Sequence, residues 1–200
     1  IRDRYKLYFV EPGQNRTSGM DGLISTQPPA SNADQVTASA LDDDVQFMSI
    51  SMMSTLELFG RKFFANETHY VPVELFLKSE GPQNSNVDWT VSIMTTERTL
   101  GSTTYSGSVC TASFGSSCDF DHEIIDVGIG SSESFDVRKG ERLIVKVRAS
   151  MSGCDGGGSP FGGSDCSADV AFNRIDNEPN KFSKMEANGN ALMNSIIVVQ

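Results

Sequence analysis

Apolar and polar residues alternate along most of the chain with the two-residue period of a β-strand. Val71, Val73, Leu75 and Leu77, for example, fall on one face of such a strand. No segment of ten or more residues keeps the 3.6-residue period of an amphipathic helix. The pattern predicts strands at residues 5–10, around 23–24, and at 45–59, 71–77, 89–93, 168–172 and 196–199. Residues 135–148 predict a strand, a tight turn at Lys139-Gly140 and a second strand.

Turn-forming residues separate these short segments. They are concentrated at residues 15–40, which include Pro28-Pro29, and at the Gly-rich residues 153–163. This spacing is typical of a β-sandwich or a barrel. We therefore expect an all-β protein with at least eight short antiparallel strands. Because strands are predicted on both sides of the Gly-rich segment, we expect a single domain over residues 1–200.

The charge balance excludes some classes of partner. The 200-residue chain has 16 basic and 26 acidic residues, for a net charge of −10. Nucleic-acid binding requires clustered Lys and Arg, whereas the basic residues here are scattered. The longest apolar runs, at residues 143–145 and 196–199, are far shorter than the roughly 18 residues that a membrane helix needs. We expect neither a nucleic-acid partner nor a membrane span.

The cysteines and the glycosylation motifs indicate an oxidising compartment. Four cysteines allow three disulfide connectivities, and their spacing favours the two local pairs, each closing a Ser- and Gly-rich loop: Cys110 with Cys118, and Cys154 with Cys166. Neither spacing is that of a zinc knuckle. N-glycosylation motifs begin at Asn15 and Asn66. Together these features predict an extracellular or cell-surface protein.

Motifs for catalysis are missing from the sequence. Only His69 and His122 could serve a nucleophilic triad, and no G-x-S-x-G elbow is present. The Gly-Gly-Gly-Ser run at residues 156–159 lacks the lysine of a phosphate-binding loop. We interpret both histidines as surface or edge residues of strands, and we expect a protein that is not an enzyme.

Calcium is the one cofactor that the sequence suggests. Asp119, Asp121 and Glu123 occupy alternate positions, so a strand would place the three carboxylates on one face, and hard cations bind such clustered oxygens. Residues 42–44 and the pair Asp155 and Asp165 are further candidates, although none matches the EF-hand loop. The competing interpretation is a solvated acidic surface that keeps the protein soluble.

Several short motifs resemble a jelly-roll domain found in archaeal and bacterial cell-surface and secreted proteins. The motifs are Leu7-Tyr8-Phe9, residues 45–49 followed by Leu56-Glu57-Leu58-Phe59-Gly60, residues 135–147, Phe172-Asn173 and Phe182-Ser183-Lys184-Met185. The resemblance covers nearly the whole chain. It implies an antiparallel β-sandwich of jelly-roll type, in a non-catalytic protein that builds surface layers or filaments, accompanies enzymes or binds glycans.

Two functions follow from these observations. We expect an extracellular structural or adhesive protein that associates with itself into a filament or surface layer. The alternative is a carbohydrate-binding module, either with or without calcium. Glycan-binding faces generally expose flat aromatic rings, whereas Trp89 lies in phase with Val91 and Ile93, which predicts a core position.

The segments at residues 5–10 and 196–199 are apolar and strand-like, so we expect both to pair with other strands. In the simpler arrangement both lie in the sheets of their own domain. In the other, one segment completes a sheet of a neighbouring copy, and repetition of that contact produces a filament. Residues 1–10 are the better donor, because Glu11-Pro12-Gly13 can serve as a hinge.

Overall fold

The structure is a computed structural model of the 200-residue chain. It describes residues 2–12, 20–30, 33–41, 43–49, 61–64, 70–111, 118–129, 134–137, 141–154, 166–173, 175 and 181–190. The described residues form strands and turns and contain no helix, which confirms the expected all-β class. None of their segments is therefore a helix of the length and apolar character needed to cross a bilayer.

Thirteen strands follow one another along the described part of the chain. They are β1 (Arg2–Val10), β2 (Gly22–Ser25), β3 (Val36–Ser39), β4 (Val45–Ser49), β5 (Arg61–Phe64), β6 (Tyr70–Glu80), β7 (Asn86–Thr95), β8 (Thr99–Gly107), β9 (Asp121–Gly128), β10 (Ser134–Val137), β11 (Leu143–Ser152), β12 (Ser167–Phe172) and β13 (Lys184–Asn190).

Hydrogen bonds connect these strands in the order β3-β12-β6-β13-β1-β2-β4-β11-β7-β8. Beside this path, β9 pairs with β6, and β5 pairs with both β10 and β13. The strand pairs are antiparallel except for β2 with β4, which is parallel. This mostly antiparallel arrangement is consistent with a β-sandwich.

One apolar core joins the strands, and the alternation seen in the sequence produces it. Every second side chain of β6 and β7 points into this core, so that Val71, Val73, Val91 and Ile93 are completely buried. Trp89 is 2% exposed, which confirms its predicted core position. Because each fully buried apolar side chain contributes about 1.5–3 kcal/mol, these paired faces determine the register of the strands.

Three phenylalanine rings form the centre of this core near β1. Phe9 stacks on Phe47 with ring centroids 4.3 Å apart, and Phe47 meets Phe172 edge to face at 5.0 Å. Offset stacking and edge-to-face contacts are the favoured aromatic geometries. All three rings are fully buried, so they connect β1, β4 and β12.

Ala40 marks the place where the chain passes from one group of strands to the next. Its N–H donates to the carbonyl of Ala168 (2.7 Å), and its carbonyl accepts from the N–H of Ala149 (2.8 Å). It therefore connects the end of β3, which pairs with β12, to the edge of β11. A completely buried alanine fits where two backbones come this close.

The outer face of β7 and β8 carries pairs of hydroxyl groups. Thr90 lies opposite Thr104 with their oxygens 3.3 Å apart, and Ser92 lies 2.9 Å from Ser102. In the next row the Ser106 hydroxyl donates to the Asp88 carboxylate at 2.6 Å. This face is therefore polar and internally hydrogen-bonded, while the other face of β7 is part of the core.

One of the sequence predictions differs from the structure. Residues 135–148 do not form a hairpin: β10 pairs with β5, and β11 lies between β4 and β7. Leu143, Ile144 and Val145 are buried consecutively, so both faces of β11 are covered here. The strand predicted at 45–59 is described at residues 45–49 as β4, and the rest of that prediction lies outside the described residues, as do residues 196–199.

Candidate functional site

The candidate site lies where β8 and β9 approach each other. In the described residues β8 forms its backbone ladder with β7, and β9 forms its ladder with β6. No ladder joins β8 to β9 there. The side chain of Thr103 joins them instead: its hydroxyl donates to the Asp126 carbonyl (3.1 Å) and accepts from the Gly128 N–H (3.3 Å). We call this contact the β8–β9 seam.

Two glycines allow the seam to close. A Cβ on Gly101 would overlap the carbonyl oxygen of Gly128, and the Tyr70 ring covers Gly128 itself. The two backbones are therefore in direct contact at this end of β8. Toward the other end of β8 the strands separate, and a cleft opens between them.

Residues of four strands line this cleft. The floor consists of Leu77 and Ser79 from β6 and Trp89 from β7; Tyr105, Gly107 and the following Ser108 form one wall, and Asp121 and Glu123 form the other. The enclosed volume is about 10 Å³, which suits one water-sized group. The cleft is therefore a small polar opening in the side of an apolar core.

The carboxylates replace apolar residues on the core face of β9. Ile125 and Val127 point into the core, and the same alternation places Glu123 and Asp121 on this face toward the start of the strand. Glu123 is only partly buried, and Asp121 is exposed. The change from aliphatic to acidic side chains therefore coincides with the place where the core opens.

Trp89 places a polar atom at the floor of the cleft. A Cβ on Gly107 would lie 3.0 Å from both Cδ1 and Nε1 of Trp89, so the nitrogen-bearing edge of the indole lies beneath this glycine. The indole N–H makes no hydrogen bond with another described residue, and its nitrogen is accessible from the cleft. Ser79, also on the floor, donates its hydroxyl to the Ser108 carbonyl at 2.6 Å.

The two carboxylates make the cleft electronegative. The hydrogen bond from Tyr105 to Glu123 raises the pKa of Tyr105 above its ordinary value of 10.0, and burial and the negative charges of Glu123 and Asp121 raise this pKa further. Tyr105 therefore stays protonated and keeps a hydroxyl hydrogen for a carboxylate acceptor. The cleft contains acceptors in the two carboxylates, a donor in Trp89 and a hydroxyl in Tyr105.

The calcium prediction concerned this same segment. Asp121 and Glu123 share the cleft wall as expected from their spacing, but Asp119 lies before β9 and is exposed. No group of three or more His, Cys, Asp or Glu side chains arranged to hold a metal is found among the described residues. Calcium binding stays a prediction.

The other acidic candidates do not join this segment. Asp44 pairs with Lys146 at 3.0 Å, and its neighbour Asp43 is exposed. Asp42, Asp155 and Asp165 lie outside the described residues, and so do the glycosylation motifs at Asn15 and Asn66.

One of the two disulfides lies next to the cleft. The structure contains the two local bridges, Cys110–Cys118 and Cys154–Cys166, and no free cysteine. Cys110 also exchanges backbone hydrogen bonds with Ser79 (2.9 Å) and Gly81 (3.1 Å) at the end of β6. The first bridge therefore links Cys110, which follows β8 and borders the cleft, to Cys118, which precedes β9.

His122 belongs to an ion-pair network on the outer face of β6. Its Nε2 lies 2.9 Å from Glu74, which also pairs with Lys184 at 2.6 Å, and its ring stacks on Phe76 at 5.0 Å. In a second network on this face, burial raises the pKa of Asp169, and the charge of Lys78 opposes this increase. His122 thus occupies a strand surface, whereas His69 lies outside the described residues.

Sequence reasoning did not identify Thr103, Tyr105 or Gly107 as part of a site. They lie in β8, whose Ser, Thr and Gly residues carry no apolar alternation, so the strand itself was not predicted. One signal was present in the sequence: the alternation of Val127 and Ile125 continues as Glu123 and Asp121.

No protein-family model matches this chain, and no curated protein is significantly similar to it.

Proposed function

We propose that the protein is a non-catalytic extracellular structural or adhesive subunit of jelly-roll type, whose copies associate through exchange of β1. The observation that carries the proposal is the position of β1. This strand lies between β13, which it pairs with from Arg2 to Tyr8, and β2, which it pairs with from Tyr8 to Val10. A strand from a second copy could make the same ladder hydrogen bonds in that position.

Burial gives the position of β1 its specificity. Leu7 is 1% exposed and Phe9 is completely buried, with the Phe9 ring stacked on Phe47. Burial of two such side chains contributes about 3–6 kcal/mol. A one-residue slip would turn both side chains to the outside, so an incoming strand must take the native register.

The connection that follows β1 determines the form of the assembly. β1 ends at Val10, and β2 begins at Gly22. Residues 11–21 are therefore the connection that must span the distance to a neighbouring copy, and Pro12 lies at its start. Mutual exchange between two copies gives a closed dimer, whereas exchange in one direction gives a filament.

The disulfides support the extracellular part of the proposal. Two bridges that use all four cysteines are compatible with an oxidising environment. Each bridge closes a short loop and adds stability that a protein outside the cell requires.

Cross-linking between chains tests the exchange. Lys6 and Glu186 are register partners in the β1–β13 ladder. Proteins carrying either Lys6→Cys or Glu186→Cys are mixed, refolded together and oxidised. Because each chain carries only one of the two new cysteines, a disulfide between them forms efficiently only if β1 of one copy pairs with β13 of another. We expect a covalent dimer that joins the two different chains.

A second pair of variants serves as a control. Asp88 and Ser150 are register partners of β7 and β11, which both lie inside one copy in the proposed assembly. A mixture of Asp88→Cys and Ser150→Cys proteins should give only the background level of disulfide exchange. Equal amounts of cross-linked dimer from both mixtures, or none from either, would show that β1 is not exchanged.

A further inference from the structure

We propose that the cleft beside the β8–β9 seam binds a hydroxyl group of a saccharide. This binding site goes beyond the structural role proposed above and does not depend on it. Its central elements are the indole N–H of Trp89 and the carboxylates of Asp121 and Glu123, which share one small opening.

The donors and acceptors of the cleft define the chemistry of the ligand. Trp89 is 2% exposed and its N–H makes no hydrogen bond with another described residue, so an acceptor on the ligand can bind it. Asp121 and Glu123 can accept hydrogen bonds from the ligand in addition to the bond that Glu123 accepts from Tyr105. A cation cannot accept from the indole, and an anion would be repelled by the carboxylates, whereas a hydroxyl group both accepts and donates.

Size separates a hydroxyl from an amide. The enclosed volume of about 10 Å³ admits a group the size of water and excludes a planar peptide group. The partly buried Tyr105 adds an aromatic ring beside this volume, and such rings pack against the apolar C–H faces of sugars. A ligand with several hydroxyls and C–H faces fits this combination better than the single hydroxyl of a serine side chain.

The position of the cleft also suits a binding site. The Cys110–Cys118 bridge and the backbone bonds of Cys110 to Ser79 and Gly81 fix the border of the cleft before any ligand arrives. A preformed site loses less conformational entropy on binding than a flexible one.

Trp89 itself reports on binding, because it is the only tryptophan of the chain. The intact protein is titrated with oligosaccharides of glucose, galactose, mannose and N-acetylglucosamine while the tryptophan emission is recorded. We expect a saturable change with at least one of them, with a Kd on the order of 1 mM, as is reasonable for a subsite of this size. Emission that stays constant with all four overturns the proposal.

Two variants test whether the change arises in the cleft. Glu123→Gln keeps the side-chain size but removes the charge, and should weaken binding about tenfold. Gly107→Ala places a methyl group 3.0 Å from the indole nitrogen and should abolish binding. Ser92→Ala, on the outer face of the same strand as Trp89, is the control and should bind like the wild type.

The two cleft variants test the proposal in different ways. Glu123→Gln changes a partly exposed residue, so it keeps the test valid even if Gly107→Ala fails to fold. Wild-type affinity in Glu123→Gln and Gly107→Ala together overturns the proposal. So does an emission change that depends on protein concentration and not on saccharide, because the occupant would then be a second copy of the chain.

Discussion

β1 and β8 are joined to their neighbours in different ways. β1 forms backbone ladders on both edges and buries Leu7 and Phe9, whereas the outer edge of β8 is held to β9 by the hydroxyl of Thr103. A ladder with buried side chains is strong, specific in register and reproducible by another strand. A single side-chain contact is weaker and leaves room for a cleft. The first joint suits exchange between copies, and the second suits a small ligand.

The largest expected effect on stability comes from the buried side chains that hold β1 in place. Phe9→Ala removes a fully buried ring that stacks on Phe47, so we expect it to lower the free energy of unfolding by about 3–5 kcal/mol. Urea unfolding measures the loss. Lys6→Ala, on the exposed face of the same strand, should change the free energy by less than about 0.5 kcal/mol. Similar losses in both variants would contradict a role for burial.

The second-largest effect on stability comes from the Cys110–Cys118 disulfide. Replacing Cys110 and Cys118 together by alanine should lower the free energy of unfolding by about 2–3 kcal/mol, because the unfolded chain is no longer restricted. It should also change the Trp89 emission, since the bridge borders the cleft. The same replacement of Cys154 and Cys166 is the control for the emission, and should leave it closer to that of the wild type.

The contact of Thr103 has a smaller effect. Thr103→Val leaves the Gly128 N–H and the Asp126 carbonyl without their partner, so we expect a loss of about 1–2 kcal/mol. Hydrogen exchange at the Gly128 amide should accelerate in the same variant. Thr104→Val, whose hydroxyl faces outward toward Thr90, should leave that amide unchanged. Unaltered exchange in Thr103→Val would show that the seam does not depend on this hydroxyl.

The smallest effect is electrostatic. Because the Tyr105–Glu123 hydrogen bond is the main cause of the raised pKa of Tyr105, Glu123→Gln should lower this pKa toward its ordinary value. The folded chain keeps the tyrosine proton at a pH where the unfolded chain loses it, so stability should fall as the pH rises through the ordinary range of tyrosine. NMR titration of labelled tyrosine measures the pKa in both proteins. An increase in Glu123→Gln would contradict the assignment.

The sequence predicted most of the strands that contribute to the core. In β7 burial follows the apolar alternation throughout, and in β6 and β11 it does so except at residues 75–77 and 143–145, where consecutive residues are buried. The pairing of the strands could not be predicted as well from the sequence. Residues 135–148 looked like a hairpin because two strands are adjacent in the sequence, yet β10 and β11 have different partners. Alternation specifies which face is buried, and it does not specify which edge is joined to which strand.

The candidate site was predictable only in part. The alternate carboxylates at Asp121 and Glu123 share a face, as their spacing indicated. The hydroxyl of Thr103 and the indole of Trp89 come to the site from β8 and β7, the two strands that precede β9 in the chain. β8 lacks an alternation of apolar residues, so it was not recognised as a strand. A site made by two edges that meet without a ladder leaves no local pattern in the sequence.

The paired hydroxyls on the outer face of β7 and β8 determine how this surface meets its surroundings. Thr90 with Thr104, and Ser92 with Ser102, use part of their hydrogen-bonding capacity on each other. A flat, well-hydrated surface of this kind exposes little apolar area for sideways sticking, and the net charge of −10 adds mutual repulsion between molecules. This face is therefore a poor surface for lateral contacts between molecules.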